Sequence, residues 1–234
     1  MEDGIVLIDK PAGWTSFDVV AKIRGGIRRS YTEQGIKPTK RQLKVGHAGT
    51  LDPFATGLLV ILLGDATKKA TEFLKLDKVY EAEIIVGKES TTGDPEGEIT
   101  DVSTEQPTIE AVEAALTRCT GEITQRPPIF SAIKINGQRA YKLARNGKEV
   151  EIPERTVMIY SLELLEYAYP SLKIRTHVGS GTYIRSLAVD IGTLLGTGAY
   201  CKALRRTRIA NWDIADAKTL DNYTVSSRRA STES

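Results

Sequence analysis

The 234-residue chain sets 32 Lys and Arg against 30 Asp and Glu, with 41% hydrophobic residues, which is the make-up of a globular protein able to bury a sizeable core. The longest apolar run, Leu58 to Leu63, is too short to span a membrane, and the start MEDGIVLIDKP, opening on acids and passing straight into a strand, is unlike a signal peptide. Cys119 and Cys201 stand far apart with no CxxC pair, which argues against a disulfide framework or a zinc site and makes the cytoplasm the expected compartment.

GIVLI (4–8) reads as a strand closed by Asp9-Lys10-Pro11 and an Ala12-Gly13 turn. TSFDVVAKIRGGI (15–27) reads as a helix, capped by Thr15 or Ser16 and stopped at Gly25-Gly26. Residues 28–44 show no periodicity and read as a loop. GLLVILLG (57–64) has the pattern of a buried strand, ATKKATEFLKL (66–76) of a short helix and KVYEAEIIVG (78–87) of a second strand. KESTTGDPEGEIT (88–100) is a turn-rich loop or hairpin, and TIEAVEAALTRCTG (108–121) a capped amphipathic helix ending at Gly121.

Two adjacent prolines, an Asn-Gly hairpin signal and a basic helix at RAYKLARNG mark residues 125–153 as an excursion from the core, a thumb-like flap. Strands resume at MIYSLELLEYAY (158–169) and LKIRTHVGSGTYI (172–184). Ile184, Leu187, Ala188, Ile191, Leu194 and Leu195 then keep helical spacing up to Gly196. There is no internal repeat and no low-complexity segment, and residues 221–234 form a polar tail. Strands and helices mixed without a βαβ rhythm predict an α+β fold, expected here as a mixed, mostly antiparallel central sheet flanked by helices.

Charge is segregated. Residues 22–44 carry eight Lys and Arg against Glu33 alone, KALRRTR (202–208) carries four more, and residues 89–113 carry eight acids and no base. Each cluster could be a solvated face, yet together they favour a polyanionic partner. Gly46, Gly49 and Gly57 do not make GxGxxG, GDATKK lacks phosphate-loop spacing, and there is no HExxH or GxSxG. No metal and no cofactor are therefore expected.

Local chemistry leaves the candidate residues open. Asp52-Pro53 is a common helix start, with Asp at the N-cap and Pro in the first turn. Arg185 could be a surface residue on its helix, His47 could satisfy a nearby carbonyl, and Tyr80 and Tyr183 lie where strands favour tyrosine.

The joint pattern is more specific. GIVLIDKPAGWTSFDVV, VGHAGTLDPFATGLLVILLGDATK, DKVYEAEIIVG, RPPIFSAIKINGQRAYKLARNGKEV and GSGTYIRSLAVDIGTLLGTGA, with LRR beyond, follow in order along nearly the whole chain. Together they resemble the TruB family of tRNA pseudouridine synthases. The resemblance implies a pseudouridine synthase fold over residues 1–220 and an enzyme that turns the T-loop uridine, position 55 by tRNA convention, into pseudouridine.

By that resemblance Asp52 is the nucleophile and Arg185 its counter-charge. Tyr80 stacks on the flipped base and is a candidate for taking the C5 proton. Tyr183 and Leu204 contact substrate, and His47 holds displaced loop nucleotides. Lys10, Pro11 and Gly49 support the active-site loop, while Gly179 and Gly181 let RNA approach the backbone closely. The implied partner is the tRNA T stem-loop, with no membrane, no required protein partner and a monomeric state. The segment 28–44 looks longer than in typical bacterial members, and no PUA domain is recognisable after the catalytic domain. Two rival readings remain open: a guide-RNA-dependent rRNA pseudouridine synthase, and a non-catalytic tRNA-binding or folding protein.

Overall fold

The structure is a computed structural model and describes residues 4–131, 134–135, 138–139 and 152–221. The chain divides into two compact units, one built from the stretch up to Leu76 and from Arg206 onward, the other from Asp77–Arg205. No helix among the described residues is long and apolar enough to cross a membrane.

In the first unit β1 (Gly4–Lys10) pairs antiparallel with β3 (Thr56–Leu63), Ile8 opposite Leu59. β2 (Val45–Ala48) also pairs antiparallel with β3, and β14 (Lys218–Thr219) joins β1 in parallel. Seven of the eight residues of β3 are buried, which is why it reads as an unbroken apolar run rather than an alternating one. Helix α1 (Ser16–Glu33) covers one face, placing Val19, Val20, Ile23 and Ile27 against Ile8, Leu59 and Ile61.

Helix α1 spans Ser16–Glu33, so the expected stop at Gly25-Gly26 and the expected loop from residue 28 are both corrected. A glycine in a helix costs about 1 kcal/mol relative to alanine. Beyond the pair, Ile27 is fully buried and Tyr31 packs against the same core cluster, so apolar burial carries the helix through. Thr15 supplies the cap: its Oγ1 accepts from the Asp18 N–H at 3.1 Å, and its own N–H donates to Asp18 Oδ2 at 2.9 Å. The stretch expected as one short helix at 66–76 is a 3-10 turn over Gly64–Lys69 followed by α2 (Ala70–Leu74).

In the second unit four antiparallel strands lie in the order β4 (Lys78–Val86), β11 (Ser171–Val178), β10 (Arg155–Ala168) and β7 (Gly121–Gln125). Helices α3 (Ile109–Arg118) and α4 (Ile184–Leu195) pack on one another, α3 also against β10 and α4 against β4. α4 ends at Gly196 in the left-handed conformation, as its spacing predicts. Gly192 lets it close on the following strand, since a Cβ there would lie 2.3 Å from the Ala199 nitrogen.

The segment 88–101 forms a hairpin, β5 (Lys88–Ser90) with β6 (Ile99–Asp101). Of the flap, β8 (Lys134–Ile135) pairs with β9 (Gln138–Arg139), while the basic helix expected at 139–147 lies outside the described residues apart from its first position. The polar tail lies outside them from residue 222. Strand β12 (Ala199–Ile209) begins in the second unit and ends in the first, and β13 (Trp212–Asp213) pairs with it.

Arg206 on β12 is 1% exposed. Its Nε donates to the Leu58 carbonyl at 2.8 Å and its Nη2 to the Gly49 carbonyl at 2.9 Å. Gly57 makes this approach possible, for at φ +104° a Cβ would stand 2.3 Å from the Arg206 carbonyl oxygen. Arg206→Met removes both donors from buried carbonyls and is expected to lower the unfolding free energy by about 2–4 kcal/mol. Arg208→Met, on an exposed position of the same strand, should change it by less than about 0.5 kcal/mol. Urea titrations of the two variants check the difference.

Candidate active site

Asp52 lies in a loop of the first unit between β2 and β3, and it is half-buried. No helix follows Asp52-Pro53: the chain makes a turn, the Ala55 N–H donating to the Asp52 carbonyl at 3.1 Å, and β3 begins at Thr56. The helix-start alternative for Asp52 is thereby removed. Neighbouring groups hold this loop from several directions. Ser16 Oγ accepts from the Leu51 N–H at 2.9 Å and faces the Leu51 carbonyl at 3.1 Å. The Pro53 carbonyl accepts from the Gly13 N–H at 2.8 Å and from Lys10 Nζ at 3.3 Å.

Lys10 is fully buried, and its ammonium also donates to the Pro11 and Trp14 carbonyls at 2.9 and 2.7 Å. A cation can lie that deep when carbonyl dipoles surround it, and here they belong to the loop after β1 and to the Asp52 loop itself. Gly49 sits at φ +88°, with its carbonyl taken by Arg206. His47 lies on β2 opposite Ile61 and is half-buried. Lys10, Pro11, Gly49 and Asp52 thus converge on one loop system.

In the second unit Tyr80 is 8% exposed on β4, opposite Thr176 of β11. Leu204, at the same exposure, lies on β12. Tyr183 is the N-cap of α4 and has no side-chain capping bond of its own. Instead its N–H donates at 2.8 Å to Oε1 of Gln125, a side chain 1% exposed at the end of β7. The Arg155 guanidinium carbon stands 4.9 Å from the centre of the Tyr183 ring, a cation–π arrangement, and Arg155 also donates to the Gly181 carbonyl.

Arg185, in the first turn of α4, is 3% exposed rather than a surface residue. Its Nη1 donates to Asp94 Oδ2 at 2.8 Å and to the Thr92 carbonyl at 3.1 Å, and its Nη2 to the Phe130 carbonyl at 2.8 Å. Asp94 is 2% exposed and lies in the β5–β6 hairpin. Its Oδ1 accepts from Thr92 Oγ1 at 2.5 Å and from the Glu96 N–H at 3.0 Å. Sequence reasoning missed Asp94, which is one of eight acids in a stretch that reads as a solvated face. It also missed Gln125 and the structural use of Arg206.

The basic cluster 202–208 needs the matching correction. Arg206 is buried on backbone carbonyls, and Lys202 donates to Glu83 Oε1 at 2.9 Å, a bond that holds the Glu83 carboxyl below the usual carboxylate range. The 22–44 stretch keeps Arg28, Arg29, Lys37 and Lys40 exposed, while Arg41 bridges to Asp65 at 3.0 Å. Cys119 is 3% exposed, and burial pushes its thiol up to about 11, so at neutral pH it is not a nucleophile.

The TruB family pseudouridylate synthase model for the N-terminal domain matches residues 37–184, well over half of the chain. The chain belongs to the TruB family. The model of the tRNA pseudouridylate synthase B C-terminal domain takes residues 185–230, so the TruB boundary falls within the first turn of α4, between Ile184 and Arg185. A tRNA pseudouridine synthase B of Phocaeicola vulgatus is 45% identical over 223 residues, covering 95% of this chain and 92% of its own. One from Thermobifida fusca is 44% identical over 232 residues, covering 94% and 74%.

Among solved structures, a chain of a Cbf5-Nop10-Gar1 complex aligns with TM-score 0.69 at 30% identity, covering 93% of this chain. A chain of an H/ACA RNP bound to a substrate RNA containing 2'-deoxyuridine aligns at 0.66 and 28%. This TruB chain spans about half the length of those two, 52% and 51%. The pseudouridine synthase fold expected from the motifs is the one found.

Removing Asp94 would leave the Arg185 charge buried without that carboxylate, so Asp94→Ala is expected to lower the unfolding free energy by about 3–5 kcal/mol. Asp94→Asn keeps the shape and should cost clearly less. If Asp94 serves only to stabilise, the activity loss of the two variants will track their loss of folded protein. If it positions Arg185, Asp94→Asn loses kcat while still fully folded. Unfolding titrations and single-turnover assays on the same samples separate the two results.

Proposed function

We propose that this chain converts uridine to pseudouridine in tRNA, at the T-loop position numbered 55 by tRNA convention, with Asp52 as the nucleophile. The observation that carries the reading is the likeness to relatives named tRNA pseudouridine synthase B, at about 45% identity over nine-tenths of both chains in one case. The reaction breaks the bond from the ribose C1′ to N1 and forms one from C1′ to C5, with a proton leaving C5 and one reaching N1. Nothing is oxidised or reduced, and no group is donated from outside, in keeping with a sequence that has no cofactor motif.

The chemistry asks for an ionised carboxylate beside the nucleotide. A free aspartate, with a pKa near about 3.9, is ionised at neutral pH, but a base packed over it disfavours the charge. Arg185 is the proposed counter-charge: a guanidinium has five N–H donors, enough to serve Asp94 and a second carboxylate. Its planar fork fits that task better than the point charge of a lysine.

The uridine must leave its stack, at a cost of a few kcal/mol, and aromatic faces return roughly 1–3 kcal/mol per base. Tyr80 is proposed to take the flipped ring and to receive the C5 proton. Tyr183 and Leu204 are proposed to border the nucleotide, and His47 to hold the displaced loop. The likeness to chains of the Cbf5-Nop10-Gar1 and H/ACA RNP structures keeps a guide-RNA-dependent reading in view.

One experiment tests the whole reading. Pure protein incubated with an unmodified tRNA transcript, without guide RNA or added protein, should yield pseudouridine at position 55. Asp52→Asn should abolish turnover and hold RNA affinity within a few fold, because the substitution keeps the shape and removes the charge. Pseudouridine at that site from Asp52→Asn sinks the assignment of the nucleophile, and a transcript left unmodified by the wild type sinks the tRNA reading.

A further inference from the structure

Strand β10 loses register against β11 between Ile159, opposite Val178, and Ser161, opposite His177. Tyr160 is the extra residue at that step. A residue inserted into one strand is left without a cross-strand partner and bends the strand, and bulges are frequent beside functional sites. Tyr160 accordingly leaves a large ring 55% exposed.

That ring is not loose on the surface. Its centre lies 4.8 Å from that of the His177 imidazole, tilted by 42°. The imidazole is itself oriented by a bond from Nε2 to the carboxylate of Asp77. Two planar rings are thus held at the surface, one fixed by a bulge and the other by a carboxylate.

The pair continues a surface that reaches Tyr183. The turn after β11 carries two glycines and no large side chain. A Cβ at Gly179 would stand 3.7 Å from Tyr160 Oη, and one at Gly181 would stand 3.4 Å from the guanidinium carbon of Arg155. Arg155 lies over the Tyr183 ring. Aromatic, bare backbone, cation and aromatic therefore follow one another along one stripe.

Such a stripe matches one ligand chemistry. Bases stack on exposed rings, phosphates seek the cation, and a backbone without Cβ groups lets a sugar-phosphate chain pass closely. We propose that Tyr160 and His177 form a stacking subsite for one unpaired nucleobase of the RNA, next along the strand from the nucleotide bordered by Tyr183. The subsite rests on the RNA-modifying reading above.

The test is a binding cycle on a T-arm RNA hairpin followed by fluorescence anisotropy. Tyr160→Ala should weaken binding about tenfold, and Tyr160→Phe less than twofold, because stacking needs the ring and not the hydroxyl. Each loop nucleotide is then replaced in turn by an abasic residue. At one of them the loss should match that of Tyr160→Ala, and the two changes together should cost no more than either alone.

Full additivity at every loop nucleotide, or an Ala variant that binds like the wild type, overturns the subsite. A fall of several degrees in melting temperature with affinity unchanged shows that Tyr160 packs against its own chain, and also overturns it. The same wild-type sample is scored for pseudouridine in tRNA. Tyr160-dependent binding without product breaks the catalytic reading and leaves the subsite standing. Product formed together with Tyr160-independent binding breaks the subsite alone.

Discussion

The buried ion pair of Arg185 and Asp94 is the constraint around which the second unit is arranged. Both side chains are 3% exposed, and moving a charge out of water costs several kcal/mol even when its partner comes with it. The pair is tolerable only if the remaining donors and acceptors are also met. The Thr92 and Phe130 carbonyls take further guanidinium N–H groups, and Thr92 Oγ1 and the Glu96 N–H serve the other carboxylate oxygen. To deliver those groups the chain must fold back between β5 and β6 as a compact turn, and residue 130 must lie against the start of α4. The hairpin, the root of the flap and the helix carrying Tyr183 are thus organised by one guanidinium.

A second buried arginine shows why charge runs are poor guides to surfaces. On β12, Lys202 and Arg208 are exposed, while Leu204 and Arg206 are buried. These four positions alternate along the strand and so share one face, and what covers each position decides its burial: a run of cations is divided between solvent and the interior by the packing above it. Arg206 spends its charge on two carbonyls, one of them in the Asp52 loop system. An electrostatic footprint for RNA is better drawn from exposed cations such as Arg28, Arg29, Lys37 and Lys40.

Elements whose signal is local were legible. β3 was visible as an apolar run between glycines, α4 as a helical stripe ended by a glycine, and the 88–101 segment as a hairpin candidate. Where a local rule met tertiary packing, packing won, as at Gly25-Gly26, where Ile27 and Tyr31 continue the buried face of α1. Asp52-Pro53 failed in the other direction: the pair obeys the helix-start pattern, yet Ser16, Gly13 and Lys10 hold the chain in a turn. The site was legible only as a joint pattern of motifs. Asp94 was illegible, because its burial comes from a contact with a residue 91 positions away.

The two units hold their candidate residues by the same physical means. Lys10, Arg206 and Arg185 are long cations sunk to 3% exposure or less, and all three donate to backbone carbonyls of loops. A loop crossed by such bonds loses the mobility that loops otherwise have, because opening it would strand a charge in the interior. Preorganisation of this kind suits an isomerisation, in which fixed geometry lowers the barrier. A carboxylate free to reorient would spend binding energy on its own ordering. Lys10 and Arg206 thus fix the loop that carries Asp52, and Arg185 fixes the β5–β6 hairpin and residue 130 at the start of α4.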